Sequence, residues 1–392
     1  MTLLLATACR DDSTAVDSPR GADAVPSSAT RTVPRPERLR IQGTHFVTSS
    51  GRPFEWRGIT AFRLVDYVAD GQSAQAETFL RWAAEQRLTV VRVLTMMAGQ
   101  FDLRPEDGRR ALPRVLELAA SHGLSVEVVA LAGTADIPVD IRDHIERLGR
   151  ILLDHPNGLL EIANEPVHPS QSAEVQQPKV LAEVASRVPP EIPVSLGSIE
   201  RGDGFGAGSY ITWHAPRDSG RAGWGHVLAV AEGDALLRHW KKPVVNDEPI
   251  GAGPELQPGR RDNVPARFQA AALLTRLTGL GATFHYDAGL QARVPGGREL
   301  ECFNAWNEAW TLLPAGVERE GTFRANGSAG SIVTSYDPAR IIGVYERSNT
   351  TSGWILVLGE EAAPVTLEQR WTIRDSRRIA GGRLLTVTRS SG

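Results

Sequence analysis

The sequence predicts a (β/α)8 TIM barrel followed by a small C-terminal β-sandwich. First, strand-like apolar runs take turns with helical patterns from residue 54 to residue 285, an alternation that argues for a parallel sheet. Second, there are eight such runs, and eight repeats over about 240 residues fit a closed barrel better than an open sheet. No Gly-rich phosphate-binding fingerprint follows the first run, which counts against a dinucleotide fold. Third, the texture changes after about residue 318 to short alternating segments separated by turn residues, the pattern of a sandwich.

In chain order, residues 1–9 hold a short apolar run that ends in small residues and Cys9. This resembles the end of a bacterial lipoprotein signal, shortened and without a basic n-region. The expectation is a lipid on Cys9, membrane attachment through it, and an extracytoplasmic protein that is either anchored to the cell envelope or secreted. Residues 10–37 are rich in Ser, Ala, Pro, Asp and Arg; they lack the apolar side chains needed to fold and read as a flexible tether. The only other cysteine is Cys302, and the two are too far apart to imply a disulfide. The 392-residue chain carries a net charge of −3, so no basic field points to nucleic acid. No later segment is apolar for long enough to cross a bilayer.

The barrel is expected over residues 38–318 and the sandwich over 319–392. Residues 39–47 alternate, 50–53 turn, and 54–59 alternate again, which predicts a hairpin leading into the first barrel strand. Strands are expected at 54–59, 88–94, 125–131, 158–163, 192–197, 210–213, 243–246 and 282–285, with helices at 74–86, 110–122, 139–154, 175–187, 224–240 and 265–280. Residues 299–313 close the barrel and bridge to the sandwich. Its strands are expected at 331–336, 341–346, 353–358, 365–373 and 383–387.

Two segments share one shape: residues 159–166 read LLEIANEP and residues 243–249 read PVVNDEP. Each is an apolar strand stopped by proline. Glu165 therefore ends the fourth barrel strand and Glu248 the seventh. Strand C-termini converge on one face of a barrel, where active sites lie. Two carboxylates there suit hydrolysis of a glycosidic bond, which needs a proton donor and a nucleophile or base, provided that their environments split their pKa values. Alternation sets Asp247 on the opposite side of the chain from Glu248.

The barrel with Asn164-Glu165-Pro166 after strand 4, Glu248 after strand 7 and an entry hairpin ending in Trp56-Arg57-Gly58 resembles clan A of the glycoside hydrolases. The closest pattern is family 5, which includes cellulases and mannanases. The resemblance implies a retaining glycosidase of β-linked glycans working by double displacement. Glu165 would be acid/base, Glu248 nucleophile, and Asn164 the partner of the sugar 2-hydroxyl. It also implies that Arg92 on strand 2 holds Glu248 ionised and that His214 on strand 6 belongs to the site. The family's tyrosine two residues beyond that histidine is Pro216 here, and strand 3 ends in Leu131-Ala132-Gly133 without the family's histidine. Strand 8 ends in Phe284-His285-Tyr286 where the family places a sugar-stacking tryptophan; His285 is a substrate-binding candidate, and Tyr286 or Trp306 stands in as the platform. Trp213 and Trp224 are expected to pack rather than bind. No cofactor is implied, and His285 with Asp287 lacks a third partner for a metal. The expected partner is a glycan substrate, and the expected state a monomer. A non-catalytic carbohydrate-binding pseudoenzyme on the same barrel is the alternative.

Overall fold

The computed structural model describes residues 34–199, 204–214, 223–254 and 261–390. They belong to one compact unit, Pro34–Gly392. Cys9, most of the tether and Pro216 lie outside the described residues.

A hairpin of β1 (Leu39–Gln42) and β2 (His45–Thr48) precedes eight strands: β3 (Arg57–Thr60), β4 (Val90–Leu94), β5 (Ser125–Leu131), β6 (Gly158–Ala163), β7 (Val194–Ile199), β8 (Ile211–Trp213), β9 (Val244–Asn246) and β10 (Gly281–Phe284). The eight pair in parallel in chain order, and β10 pairs with β3, Ala282 opposite Arg57, to close the barrel. The fourth and seventh barrel strands are thus β6 and β9. Around them run α1 (Leu64–Ala69), α2 (Ser73–Glu85), α3 (Pro105–Ser121), α4 (Ile141–Asp154), α5 (Pro178–Ala185), α6 (Trp224–Ala229), α7 (Gly233–Trp240), α8 (Pro265–Thr278), α9 (Asp287–Leu290) and α10 (Gly297–Leu312). Asp140 caps α4 by accepting from the Arg142 and Asp143 amides at 3.0 and 3.1 Å, satisfying donors that the first turn leaves free. Helices α3, α5 and α8 each start on proline, whose missing N–H costs nothing there.

Side chains alternate between two cores. Outward residues such as Val91, Val93, Val126 and Val128 join the helices in one large apolar cluster. Inward residues at the strand starts (Val90, Leu159, Tyr210 and Val245) meet Trp56 and the hairpin's Leu39 and Phe46. The hairpin therefore plugs the N-terminal end of the barrel, and Phe46 lies 5.1 Å from Trp56, centroid to centroid.

Beyond the barrel, β11 (Thr322–Ala325), β12 (Val333–Tyr336), β13 (Ile341–Ser348), β14 (Ser352–Gly359), β15 (Val365–Leu367), β16 (Trp371–Ile379) and β17 (Gly382–Arg389) form a five-stranded antiparallel sheet, β11-β13-β14-β17-β16, and a two-stranded one, β12-β15. One face of the larger sheet packs Ile355, Val357 and Leu385 against Ile332 and Val333. The other face turns Tyr345, Leu356, Leu358 and Leu384 into the barrel's own apolar cluster. Trp224 packs at this junction, its ring against Gly381 and under Arg267.

Four expectations change. The hairpin turns at Gly43 (φ +60°) rather than at 50–53, because glycine takes left-handed backbone at no steric cost. The helix expected over 224–240 is α6 and α7 split by a 3-10 turn at Val230–Glu232. Residues 365–373 divide between β15 and β16, which belong to different sheets. Helix α1 and strand β11 were not anticipated.

Because barrel and sheet share one core, Leu356→Ala should destabilise both. A loss of about 2–5 kcal/mol is expected, read as a lower denaturant midpoint in one cooperative transition; two separated transitions would show that the core is not shared.

Candidate active site

The inward positions of the middle barrel level are unusual because they are charged. Arg92 on β4 is completely buried and faces Glu127 on β5 and Glu161 on β6, both also without exposure. Its Nε and Nη2 donate to Glu161 Oε2 at 3.0 and 2.8 Å. Nε also lies 3.0 Å from Asp247 Oδ2 and 3.6 Å from Glu127 Oε2. The Phe62 ring lies 5.2 Å from the guanidinium carbon. Tyr210 donates to Glu127 at 3.0 Å and Thr212 to Glu161 at 3.4 Å, while Thr212 and Ser195 share a hydroxyl contact of 2.9 Å.

One cation among several carboxylates leaves excess negative charge without water. Burial opposes a charged Arg92, but Glu161, Asp247, Glu248 and Glu127 outweigh it and hold the guanidinium charged well above its ordinary range. The carboxylates respond in the opposite sense. Burial pushes Glu161 up to about 7; it also raises Glu127 and Asp247, each of which repels a neighbouring acid.

The candidate residues stand on the next level, toward the C-terminal face. Arg92 Nη1 donates to Glu248 Oε1 at 2.5 Å and Nη2 to Asn164 Oδ1 at 2.9 Å. With its amide oxygen so engaged, Asn164 keeps its NH2 group as a donor. His214 Nδ1 lies 3.6 Å from Glu165 Oε1 and 3.9 Å from Glu248 Oε2, and its Nε2 lies 3.6 Å from Asp247 Oδ1. One oxygen of Glu165, one ring nitrogen of His214 and one oxygen of Glu248 all fall within 4.8 Å of one another. The Glu165 side chain is 14% exposed and that of Glu248 is 4%, so the two acids occupy different environments. Glu165 holds φ +42° between Asn164 and proline, a left-handed conformation that costs a non-glycine residue about 1–3 kcal/mol. Such strain persists only where the surroundings enforce it.

Arg92, Asn164, Glu165, His214 and Glu248 therefore converge as the sequence predicts. His285 is close by, with its Nδ1 3.0 Å from Thr60 Oγ1 and its ring 6.1 Å from Phe62. Tyr286 and Trp306 do not fit the platform expectation. Tyr286 is fully buried and donates its hydroxyl to the Arg293 carbonyl at 2.6 Å. Trp306 is 4% exposed and packs on Phe284, Phe303 and Trp310. Phe284 points outward, so both aromatics serve the layer between barrel and helices and have no face to offer a sugar. Trp213 is buried in the same layer. Asp247 also departs from expectation: it shares Arg92 with Glu248 instead of facing away. Strand β9 ends at Asn246; Asp247 keeps the inward parity of Val245, and Glu248, past the strand, turns inward as well.

Glu127 and Glu161 are not among the residues the sequence pointed to, and Asp247 was expected to face away. The signal was present, since Glu127 and Glu161 are lone acids inside otherwise apolar strands. Two trios bring one ligand atom each within 4.8 Å, Glu161 with His214 and Asp247, and Glu165 with His214 and Glu248. Arg92 already supplies positive charge to both, at 3.0 Å from Asp247 and 2.5 Å from Glu248.

Two outcomes follow from the buried charges. Arg92→Gln strands the carboxylates, and a loss of about 3–5 kcal/mol is expected at neutral pH, smaller at pH 5 where the acids can take up protons; an unchanged denaturant midpoint would contradict the assignment. In the native protein, Glu127, Glu161 and Asp247 keep protons that the unfolded chain releases at ordinary carboxylate pKa values. Their raised values favour folding at acid pH, and that advantage is lost as pH rises through the folded values. Unfolding free energy should therefore fall between about pH 5 and 8, and Glu127→Gln should reduce the slope by up to about 1.4 kcal/mol per pH unit.

No protein-family model and no curated protein matches the chain by sequence. Solved structures do match by shape. One, described as a glycoside hydrolase, has a TM-score of 0.64 at 14% identity over 91% of this chain and 97% of that one. Another, a glycoside hydrolase family 5 structure from Bacteroides vulgatus ATCC 8482, has a TM-score of 0.58 at 14% identity over 90% and 94%. The likeness is one of fold, and it spans the barrel and the C-terminal sheets together.

Proposed function

We propose that this protein is a retaining glycoside hydrolase that cleaves a β-linked glycan. The observation that carries the reading is the proximity of Glu165 and Glu248, whose nearest oxygens lie within 4.8 Å. Inversion needs carboxyl groups about 6.5–9.5 Å apart to admit a water, whereas double displacement works at about 5–5.5 Å. The fold shared with glycoside hydrolases supports the reaction class.

Glu248 is the nucleophile. Arg92 holds one of its oxygens and favours the ionised form, which leaves the other to attack the anomeric carbon. As the Glu248–carbon bond forms, the glycosidic C–O bond breaks and the leaving oxygen takes the proton of Glu165. Glu165, more exposed and not bonded to Arg92, is suited to carry that proton. In the second half-reaction Glu165 removes a proton from water, the water oxygen bonds to the anomeric carbon, and Glu248 is released. Asn164, oriented by Arg92, donates to the sugar 2-hydroxyl, a contact that strengthens in the transition state. His214 lies beside both glutamates, its Nδ1 3.6 Å from Glu165 and 3.9 Å from Glu248.

Glu248→Gln should lower turnover on aryl β-glycosides by a factor on the order of 10^4 and Glu165→Gln by about 10²–10⁴, with both proteins folded. NMR of the first product should show the substrate's anomeric configuration. An inverted product would exclude double displacement. Glycan binding without turnover in the unmodified protein would favour the pseudoenzyme instead.

A further inference from the structure

One end of the C-terminal sandwich holds a cleft with no part in the barrel chemistry. Its volume is about 550 Å³, within the range of roughly 300–1,000 Å³ typical of small-molecule sites. It is built where five chain segments meet: the start of β11, the β11–β12 connection, the β13–β14 turn, the β15–β16 connection and the end of β17. Arg324, Arg370 and Arg389 line it, against one acid, Glu368. Arg370 bonds Glu368 at 3.0 Å; Arg324 donates to the Ser348 hydroxyl at 3.3 Å and lies across the ladder from Glu346, whose carboxylate it attracts. The Arg389 side chain has no hydrogen bond or ion pair among the described residues. Trp371 sits directly across the ladder from Arg389; it is half-buried, packs on the sandwich core and lines the cleft.

We propose that this cleft is a second saccharide-binding site, selective for glycans that carry carboxylates, such as uronate-bearing chains. The chemistry is specific in kind. Guanidinium groups pair with carboxylates through two parallel N–H donors, and an indole offers an apolar face with a polar edge to a sugar ring. A neutral sugar would use Trp371 and leave the surplus positive charge idle. A simple anion would use the arginines and leave the indole idle. Only a ligand with both an apolar ring face and a carboxylate uses the whole lining. The site is independent of the proposed hydrolysis, since none of its residues belongs to the barrel.

The test uses the full-length protein with Glu248→Gln as background, so that nothing is turned over. Titration calorimetry with a trigalacturonate should give saturable binding that weakens roughly tenfold or more in Arg389→Gln, falls in Trp371→Ala, and declines with added salt. Arg324→Gln, a partly exposed position, provides a second reading if Trp371→Ala does not fold. The uncharged galactotriose should bind at least tenfold more weakly than the trigalacturonate. Three results would overturn the proposal: no saturation at millimolar trigalacturonate, binding that survives both Arg324→Gln and Arg389→Gln, or equal affinity for inorganic phosphate, which would mark a general anion site.

Discussion

The charged level inside this barrel is arranged around one guanidinium. Arg92 has no contact with solvent, yet it touches acids carried by β5, by β6 and by the chain just after β9. Taking those charges out of water costs several kcal/mol per ion, offset only by close geometry and by hydrogen bonds to the remaining lone pairs. Tyr210 and Thr212 provide some of those bonds, to Glu127 and Glu161. The charge count is still unequal, and burial raises the carboxyl pKa values of Glu127, Glu161 and Asp247 so that they take up protons more readily than free acids. The interior level that in most barrels is filled with branched apolar side chains is here a polar, proton-holding network.

That network reaches the barrel mouth through the same side chain. The guanidinium is planar and its donors are fixed in direction. Once Nε and Nη2 are committed to Glu161, Nη1 and the second edge of Nη2 point up to Glu248 and Asn164. The buried level therefore sets the orientation of the level where chemistry is proposed. His214 stands between the levels, with Nε2 3.6 Å from Asp247 and Nδ1 3.6 and 3.9 Å from the two glutamates, distances too long for direct hydrogen bonds. Removing an acid from the lower level would be felt at the mouth without any change in Glu165, Glu248 or Asn164 themselves.

The strands were legible because a parallel barrel buries both faces of each strand, which leaves apolar runs with clear ends. The converging residues were legible because closure forces strand ends together, whatever the details of the loops. Tyr286 and Trp306 were misplaced for a different reason. An aromatic near a strand end can lie on either side of the barrel wall, and only the inward or outward parity of its neighbours decides. Phe284 is outward, and the stacked rings of Phe303 and Trp306 follow it. Glu127 and Glu161 were overlooked because they fall within runs read for their apolar character, where a lone acid was the anomaly to notice.

The Asp247-Glu248 pair shows how little backbone separates the two levels. Along a continuing strand, adjacent side chains face opposite ways, and one of these acids would have left the interior. Strand β9 is only three residues long, and the Asp247 amide makes its last rung, to the Trp213 carbonyl at 3.2 Å. Past that rung the chain is free of the pleat. Asp247 joins the buried cluster and Glu248 turns to the mouth, one residue apart and bound to different nitrogens of one arginine. A longer β9 would keep the same sequence and lose this division of labour. The shortness of the strand is therefore as much a part of the candidate site as the acids themselves.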